Sequence, residues 1–374
     1  MQKDISVIGG SAAGFLTASV LARSGARVRL FEASERIDPP LRSLIVTPYM
    51  KRLIGPEVER AKINEISRFE LFTDGRAAKI SLREPDLVVE RSMLIKALAS
   101  AAGKIGVRIL TNSRFLHLRP NHKKISFWTH RDGVAIEESA EVIVGADGAR
   151  SKVARSTGWP TPERLPLIQA VVNLPVDQSP DTARVWFVPH ETPYFYWLIP
   201  HSSNQGVLGL IAKDKKTSRS LLGRFLDRTG LEPIEFQDAE VPIYSRWFPN
   251  GRRIGEGQVY LVGDAAGHVK VSTVGGVVTG LRGAVGVAEA ILNGGPGKGL
   301  RNLKRELDRH KFIRNVLNGF RQSDYSSLLD LMSASARHSL GSITRDESGR
   351  LLWRVILKEP RLVLLGLRAF LSRS

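Results

Sequence analysis

Apolar residues at the start of the chain follow the pattern of a strand, a helix and a second strand. Residues 4–8 (DISVI) and 27–31 (RVRLF) are typical of buried strands, and residues 12–22 between them have helical spacing. This order predicts a βαβ unit. The buried-strand pattern returns at 141–144 and again at 258–262, so we predict one Rossmann-type domain assembled from two separated stretches of chain.

Between these stretches the pattern changes twice. Residues 91–103 predict a helix, and alternating residues at 124–128 and 134–136 predict a small antiparallel hairpin. From about residue 169 to residue 247, short alternating strands are separated by prolines, which indicates a separate sheet inserted into the first domain. Beyond residue 300 the pattern is helical and basic.

These elements predict an α/β fold with a Rossmann-type domain, an inserted antiparallel sheet and a helical C-terminal region. A chain of 374 residues is long enough for more than one hydrophobic core. We place the Rossmann-type domain at residues 1–168 and 250–299, the inserted substrate domain at 169–249 and the basic helical region at 300–374.

Composition narrows the chemistry that the chain can perform. The absence of cysteine excludes disulfides, thiolate metal sites and a cysteine nucleophile, so redox chemistry requires a bound cofactor. The eight histidines have no metal-ligand spacing, and we predict no metal site. The N-terminus lacks the features of a signal peptide and no apolar run approaches about 18 residues, so we expect a cytoplasmic protein.

A net charge of +18 leaves several partners open. Nucleic acid, an anionic membrane surface and anionic substrates each attract a basic protein, and a solvated basic surface needs no partner. No nucleic-acid-binding motif is present, so we predict no nucleic-acid partner.

The strongest local motif is residues 9–14 (GGSAAG), between the first strand and the first helix. It follows the dinucleotide fingerprint, with Ser11 where the second glycine is usual. Free amides and the helix dipole at this point favour a pyrophosphate, and Glu32 ends the second strand at the spacing of a ribose-binding acid. From this unit we predict these cofactor-binding residues: Gly9, Gly10, Ser11, Ala13, Gly14, Glu32 and Ala33.

Two further segments extend the pattern. Residues 262–267 (VGDAAG) follow a strand, and Asp264 can hold a polyol hydroxyl or can simply cap a helix. Residues 145–151 (GADGARS) lie between the two glycine-rich segments, where Asp147-Gly148 alone would indicate a turn. Taken together, the three segments resemble the flavin motifs of the aromatic-hydroxylase-like FAD superfamily.

Within that superfamily the chain is most similar to the geranylgeranyl reductase family, which reduces isoprenoid double bonds with reduced FAD. The resemblance is carried by residues 88–91 (VVER), 195–200 (FYWLIP) and 270–276 (KVSTVGG). It implies FAD as cofactor, with Arg91 at the flavin or its phosphates. It also implies that Phe195, Trp197 and Pro200 line a lipid pocket, and that Arg42, Asp264, Gly275 and Gly276 contact the cofactor.

The chain departs from the family pattern at several of these positions. Phe195 and Ile199 replace a tyrosine and a phenylalanine that the family often has. Val271 and Val274 stand where many members have a proline and a glycine. Ser43 replaces a cysteine that several archaeal members carry beside the flavin. The candidates for proton delivery are therefore Ser43, His268, water and the flavin itself, and we favour water ordered by Ser43.

The motifs and the resemblance predict an FAD-dependent oxidoreductase that reduces double bonds of an isoprenoid lipid. A flavin monooxygenase shares the same three motifs and is the alternative, while a flavin-free scaffold for lipidated partners would not need them. No second dinucleotide fingerprint is present, which leaves ferredoxin or NAD(P)H as electron donor. Cations interleaved with apolar residues at 350–358 and 361–373 are typical of an interfacial helix, and equally of a helix packed on the body.

Overall fold

The computed structural model describes residues 3–248, 251–347, 349 and 360–371. The strands in these ranges are β1 Asp4–Ile8, β2 Arg27–Phe31, β3 Ser43–Val46, β4 Lys62–Thr73, β5 Arg76–Glu90, β6 Arg108–Leu110, β7 Arg114–Asn121, β8 Lys124–Arg131, β9 Val134–Ala140, β10 Val142–Gly145, β11 Arg164–Asn173, β12 Thr182–Trp186, β13 Tyr196–Pro200, β14 Gln205–Ile211, β15 Pro233–Pro242, β16 Arg252–Ile254 and β17 Gly257–Leu261. The helices are α1 Ala12–Arg23, α2 Tyr49–Ile54, α3 Arg91–Lys104, α4 Lys152–Ser156, α5 Lys215–Thr229, α6 Val277–Asn293, α7 Lys298–Leu317, α8 Gln322–Leu331, α9 Ala334–Ser342 and α10 Pro360–Leu371, with 3-10 turns at Gly55–Val58 and Gly263–Ala266.

A six-stranded sheet in the order β16-β17-β10-β1-β2-β6 forms the centre of the first domain. Its strands are parallel except for the edge strand β16. Helices α1, α3 and α6 cover one face in a large apolar core. The predicted strands at 4–8, 27–31, 141–144 and 258–262 are therefore neighbours in one sheet, as the Rossmann-type prediction requires.

The other face of this sheet is covered by the three-stranded antiparallel sheet β7-β8-β9. Phe127 of β8 packs edge-on against Phe31 of β2, with ring centroids 5.2 Å apart. The predicted hairpin corresponds to β8 and β9, and β7 adds a third strand that the sequence pattern did not indicate.

The second sheet has eight strands in the order β15-β11-β14-β13-β12-β4-β5-β3. It is antiparallel except where β12 pairs with β4 in parallel. Strands β3, β4 and β5 precede the segment 169–249 in the chain, so this sheet is built from two parts of the sequence. Helix α5, which the sequence analysis missed, is capped by Asp214 and ends at the left-handed Gly230.

Helices α7 to α10 form the C-terminal region in the described residues. Helix α7 packs on α6, α8 and α9 pack on β4 and β5, and α10 packs on α7 and α8. The first predicted interfacial stretch, 350–358, lies outside the described residues. Residues 361–371 of the second stretch, 361–373, belong to α10. None of the described helices combines the length and apolar character that crossing a bilayer demands.

Candidate flavin site

A cavity of about 800 Å³ opens at the carboxyl ends of β1, β2 and β10, between the two large sheets. Its volume falls within the range of small-molecule and cofactor pockets. The predicted site residues that line it are Gly9, Gly10, Ser11, Ala13, Glu32, Ala33, Arg42, Arg91, Asp264 and Gly276. Those that do not line it are Gly14, Ser43, Phe195, Trp197, Pro200, His268 and Gly275.

The glycine-rich turn brings backbone close to the cavity. Gly9 has φ of 109°, and a Cβ there would lie 2.5 Å from the carbonyl oxygen of Ala146 on the neighbouring β10 loop. A Cβ on Gly14 would collide with the Gly9 carbonyl oxygen. Ser11 caps α1 by accepting a hydrogen bond from the Gly14 amide at 3.1 Å. Gly14 therefore acts through close packing of helix on turn, and the helix N-terminus faces the cavity.

Glu32 lies at the carboxyl end of β2. Its carboxylate accepts hydrogen bonds from the Gly10 amide at 2.7 Å and from the Ser34 amide at 2.9 Å. These bonds fix the side chain on the cavity wall. This is the position at which an acid binds ribose hydroxyls in a Rossmann-type domain.

Two arginines and one aspartate, Arg42, Arg91 and Asp264, form one charged group in the wall. Arg91 begins α3, and its amide donates to the carbonyl oxygen of Arg42 at 3.0 Å, which holds the two residues side by side. Burial lowers the pKa of both guanidinium groups, and their attraction to Asp264 opposes that shift. Burial also raises the pKa of Asp264, against the effect of both arginines.

Glu90 supports this pair from the N-cap of α3. One carboxylate oxygen accepts from the Arg42 amide at 3.0 Å and the other from the Met93 amide at 2.8 Å. Nε of Arg42 is buried and has no hydrogen-bond partner among the described residues. A buried donor of this kind requires an acceptor, and an anionic group of a bound cofactor would supply one.

Asp147 mainly stabilises the local structure around the first turn of α4. Its carboxylate accepts from the Ser151 hydroxyl at 2.5 Å and from the amides of Lys152 and Val153 at 2.7 and 3.2 Å. These bonds secure the first turn of α4. The turn that contains Gly148 thereby lies against Gly9, where it lines the cavity.

Residues 268–276, here called the flavin loop, connect the Gly263–Ala266 turn to α6 and close one end of the cavity. Val269, Val274 and Gly276 of this loop line the cavity, as does Gly280 of α6. Val274 has φ of 53°, a left-handed conformation that is unfavourable for a β-branched residue. Such strain persists only where the surroundings hold the backbone firmly.

His268 is not placed for the predicted proton transfer. Its side chain is buried beneath the flavin loop, stacked on Trp247 with centroids 5.4 Å apart, and points toward Gly283 of α6. Burial lowers its pKa to about 4, so the ring is neutral at physiological pH. The left-handed Gly267 before it turns the chain inward, which the sequence motif did not reveal.

Ser43 lies on β3 between Arg42 and Leu44, both of which line the cavity, but its own side chain is on the other face of the strand, the face that carries Ile45. There its hydroxyl is 2.5 Å from Nε2 of His201, just after β13. Burial lowers the pKa of His201, an effect that Glu90 opposes. Sequence reasoning missed His201 because it follows the aromatic motif without belonging to any recognised pattern.

The aromatic segment 195–200 divides between two faces of the second sheet. Tyr196 and Leu198 point toward α5, so they lie away from the cavity. On the opposite face is an apolar cluster, here called the apolar wall, formed by Leu167, Phe195, Trp197, Ile199 and Val274. Leu167 and Val274 also line the cavity.

The remaining members of the apolar wall pack behind the lining residues. Trp197 lies across Gly209 of β14, where an added Cβ would be 2.6 Å from the ring and 2.7 Å from Gln169. Gln169 and Leu167 of β11 line the cavity and were not predicted, because alternation on a strand shows which residues share a face and not what that face meets. Pro200 ends β13, and its carbonyl oxygen accepts from Asn64 at 3.0 Å.

The site fits FAD. A helix N-terminus and an acid at the end of β2 match the pyrophosphate and ribose of a dinucleotide, while Arg42, Arg91 and Asp264 offer half-buried polar groups in the cavity wall. The flavin loop and the apolar wall close its far end. A cavity in which polar and apolar groups follow one another in this spatial order defines the chain as a flavoprotein of the Rossmann type.

Comparison with known proteins agrees with this class. A model of the FAD binding domain family matches residues 2–303. The chain belongs to this family, and its cofactor is FAD.

Two relatives carry more specific names. A digeranylgeranylglycerophospholipid reductase 2 of Methanothermobacter thermautotrophicus is 29% identical over 92% of this chain and 95% of its own length. A geranylgeranyl diphosphate reductase of Rhodobacter capsulatus is 28% identical over 78% of this chain and 75% of its own length. The resemblance to the geranylgeranyl reductase family is therefore confirmed.

Solved structures confirm the fold. A geranylgeranyl bacteriochlorophyll reductase-like protein from Thermoplasma acidophilum has a TM-score of 0.82 and 19% identity, covering 98% of this chain and 99% of that one. A p-nitrophenol 4-monooxygenase from Pseudomonas putida has a TM-score of 0.66 and 18% identity, covering 99% of this chain and 98% of that one. At these identities the likeness concerns architecture alone.

Proposed function

We propose that the protein is an FAD-dependent oxidoreductase that reduces carbon–carbon double bonds of an isoprenoid lipid. The observation that carries this proposal is the apolar wall at the far end of the cavity, because Leu167 and Val274 of this wall line the cavity directly. A long hydrocarbon chain needs such a surface. The two relatives named as geranylgeranyl-type reductases support the same substrate class.

Bound reduced FAD would supply the hydride, and the protein supplies binding, orientation and exclusion of water. Arg42, Arg91 and Asp264 hold the polar part of the cofactor in a half-buried setting, where electrostatic interactions are stronger than in bulk water. The apolar wall aligns the alkene, with Trp197 as the largest support behind the lining residues. Phe195 and Pro200 flank it on the same segment of chain.

A proton must reach the second carbon of the alkene. We assign this step to water ordered by Ser43, whose hydroxyl is held by His201 at 2.5 Å. Ser43 and Ile45 lie on the face of β3 directed toward the apolar wall, because Ile45 packs against that cluster. We do not assign this role to His268, because its side chain is buried and stacked on Trp247.

The experiment supplies the dithionite-reduced protein with a geranylgeranyl lipid in the absence of oxygen and weighs the product. We expect a gain of two mass units for each bond reduced, because hydride and proton together add two hydrogens. No anaerobic product, combined with an oxygen-dependent gain of one oxygen atom, would instead identify a monooxygenase.

We further propose that the C-terminal helices bring the enzyme to an anionic membrane surface. Helix α10 packs on α7 where Gly366 faces Val316, yet Leu364 of α10 is 67% exposed and Phe312 of α7 is 58% exposed. The net charge of +18 favours anionic headgroups. A surface-bound enzyme could take a lipid substrate directly from the bilayer.

Flotation with liposomes that contain anionic lipid tests this contact at low salt. We expect the parent protein to float, and the double variant Leu364→Glu with Phe312→Glu to remain at the bottom of the gradient. Val176→Glu changes an exposed apolar residue on the second sheet's side of the molecule and serves as the control. Equal flotation of all three proteins would contradict the proposed surface.

A further inference from the structure

The flavin loop is held from behind by the C-terminal region. Val271 packs with Leu303 and Leu307 of α7 in a small apolar cluster that also contains Tyr244. The Ser272 hydroxyl lies 2.6 Å from Nδ1 of His310, one turn further along α7. Neighbouring residues of the loop thus contact the same helix.

Arg314 makes the most extensive contact of this kind. The side chain is buried at 5% exposure, with Nε donating to the Val271 carbonyl oxygen at 3.1 Å and Nη2 to that of Ser272 at 2.7 Å. Nη1 donates in another direction, to the carbonyl oxygen of Pro193 at 2.6 Å. The guanidinium also lies 4.2 Å from the centroid of the Tyr194 ring. One side chain therefore joins the flavin loop to the segment that leads into β13.

A buried ion pair holds the loop at Lys270, the residue before Val271. Nζ of Lys270 donates to Asp346 at 2.6 Å, and both side chains are almost fully buried. The second carboxylate oxygen of Asp346 accepts from the hydroxyl of Thr47, which follows β3. The Lys270 amide also donates to the Gly275 carbonyl oxygen at 3.1 Å, which closes the loop on itself.

Burying these charged side chains costs folding free energy unless their hydrogen bonds keep good geometry. A buried cation loses several kcal/mol of hydration, which only well-placed acceptors offset. The guanidinium is a rigid planar fork, so its donors fix the relative positions of the carbonyl oxygens they bind. The hydrogen bond from Lys270 to Gly275 closes the turn that contains Val274, and the two anchors hold the start of this turn. This restraint also accounts for the left-handed backbone of Val274 on the cavity wall.

We propose that Arg314 is a positioning residue that sets the flavin loop against the flavin ring and the apolar wall, with the Lys270–Asp346 pair as its second anchor. Arg314 and Asp346 lie after residue 303, where the match to the FAD binding domain family ends. The C-terminal region is thus part of the flavin site. The effect on catalysis rests on the proposed function, whereas the effect on the flavin environment does not.

The test compares Arg314→Met, Arg314→Lys and the control Arg305→Met in the full-length holoprotein. Arg305 is an exposed arginine of the same helix. Methionine keeps an unbranched apolar stem and removes all the donors, while lysine keeps the charge but not the fork. Four quantities are measured: the FAD content, the visible absorption of the flavin, its midpoint potential, and the anaerobic single-turnover rate of lipid reduction.

For Arg314→Met we expect near-parental FAD content, because the pyrophosphate end of the cavity is untouched. We expect altered flavin absorption and midpoint potential, and a single-turnover rate lower by about 100-fold, the loss typical of a misplacement near 1 Å. Arg314→Lys should lie between this variant and the parent, and Arg305→Met should equal the parent. A folded Arg314→Met with parental spectrum, potential and rate would overturn the proposal, as would equal losses in Arg305→Met.

A second pair of substitutions keeps the proposal testable if Arg314→Met does not fold. Lys270→Met combined with Asp346→Leu removes both charges together and leaves no unpaired buried ion. We expect the same changes in flavin spectrum and potential. An unchanged spectrum and potential in this variant would refute the second anchor. Failure of the parent protein to reduce the lipid would refute the proposed function. The spectral comparison would still decide whether Arg314 and the Lys270–Asp346 pair position the flavin loop.

Discussion

The replacement of Gly14 by alanine measures how closely the first helix must approach the glycine-rich turn. An added Cβ would collide with the Gly9 carbonyl oxygen and lie 3.0 Å from the Ala146 side chain. Relief requires α1 to move away from β1 and β10, which displaces the helix N-terminus from the cavity. Overpacking of this kind costs about 1–3 kcal/mol of folding free energy. The same substitution gains up to about 1 kcal/mol of helix propensity.

Gly103→Ala is the matched control, because Gly103 also lies within a helix and a Cβ there meets nothing within 4 Å. We expect Gly103→Ala to raise the free energy of unfolding by up to about 1 kcal/mol. Gly14→Ala should lower it and should purify with less FAD. Denaturant unfolding with and without added FAD, together with absorbance of the purified proteins, measures both effects. Parental FAD content and stability in Gly14→Ala would refute the close-packing argument.

Two further predictions concern charge and protonation. Asp264→Asn removes the carboxylate that faces two half-buried guanidinium groups, so we expect less bound FAD by absorbance. Asp227→Asn on the exposed face of α5 is the control, and equal FAD content in both variants would exclude the assigned role of Asp264. Because the pKa of His268 is lowered to about 4 in the folded protein, the unfolded chain binds an extra proton between that pH and about 6.5. Stability should therefore fall over this window by on the order of 3 kcal/mol as pH decreases, and His268→Gln, but not the exposed His130→Gln, should reduce this slope in denaturant unfolding.

The sequence by itself determined the Rossmann-type half of this protein and its cofactor. Glycine at 9 and 14, an acid at 32 and the motif around Asp264 each meet a local requirement of backbone conformation or charge, and such requirements leave a readable pattern. Most of the residues predicted from that pattern line the cavity.

Only the tertiary structure decided where the other candidate side chains point. His268 and Ser43 are adjacent in sequence to cavity residues, yet one turns beneath the flavin loop and the other toward His201. A one-residue step along a strand or a left-handed turn reverses the direction of a side chain, and no motif records which face meets the cofactor. For the same reason, the sequence did not show that Gln169 lines the cavity.

Contacts between distant segments were equally beyond the sequence. Arg314 is one arginine among many in a basic region, and Asp346 is separated from Lys270 by 76 residues. Their importance comes from burial and from the carbonyl oxygens that they meet, which depend on how α7 packs behind the flavin loop. Local sequence patterns encode helices, strands and turns, whereas contacts between distant elements, such as those of Arg314 with the flavin loop, form only once the whole chain has folded.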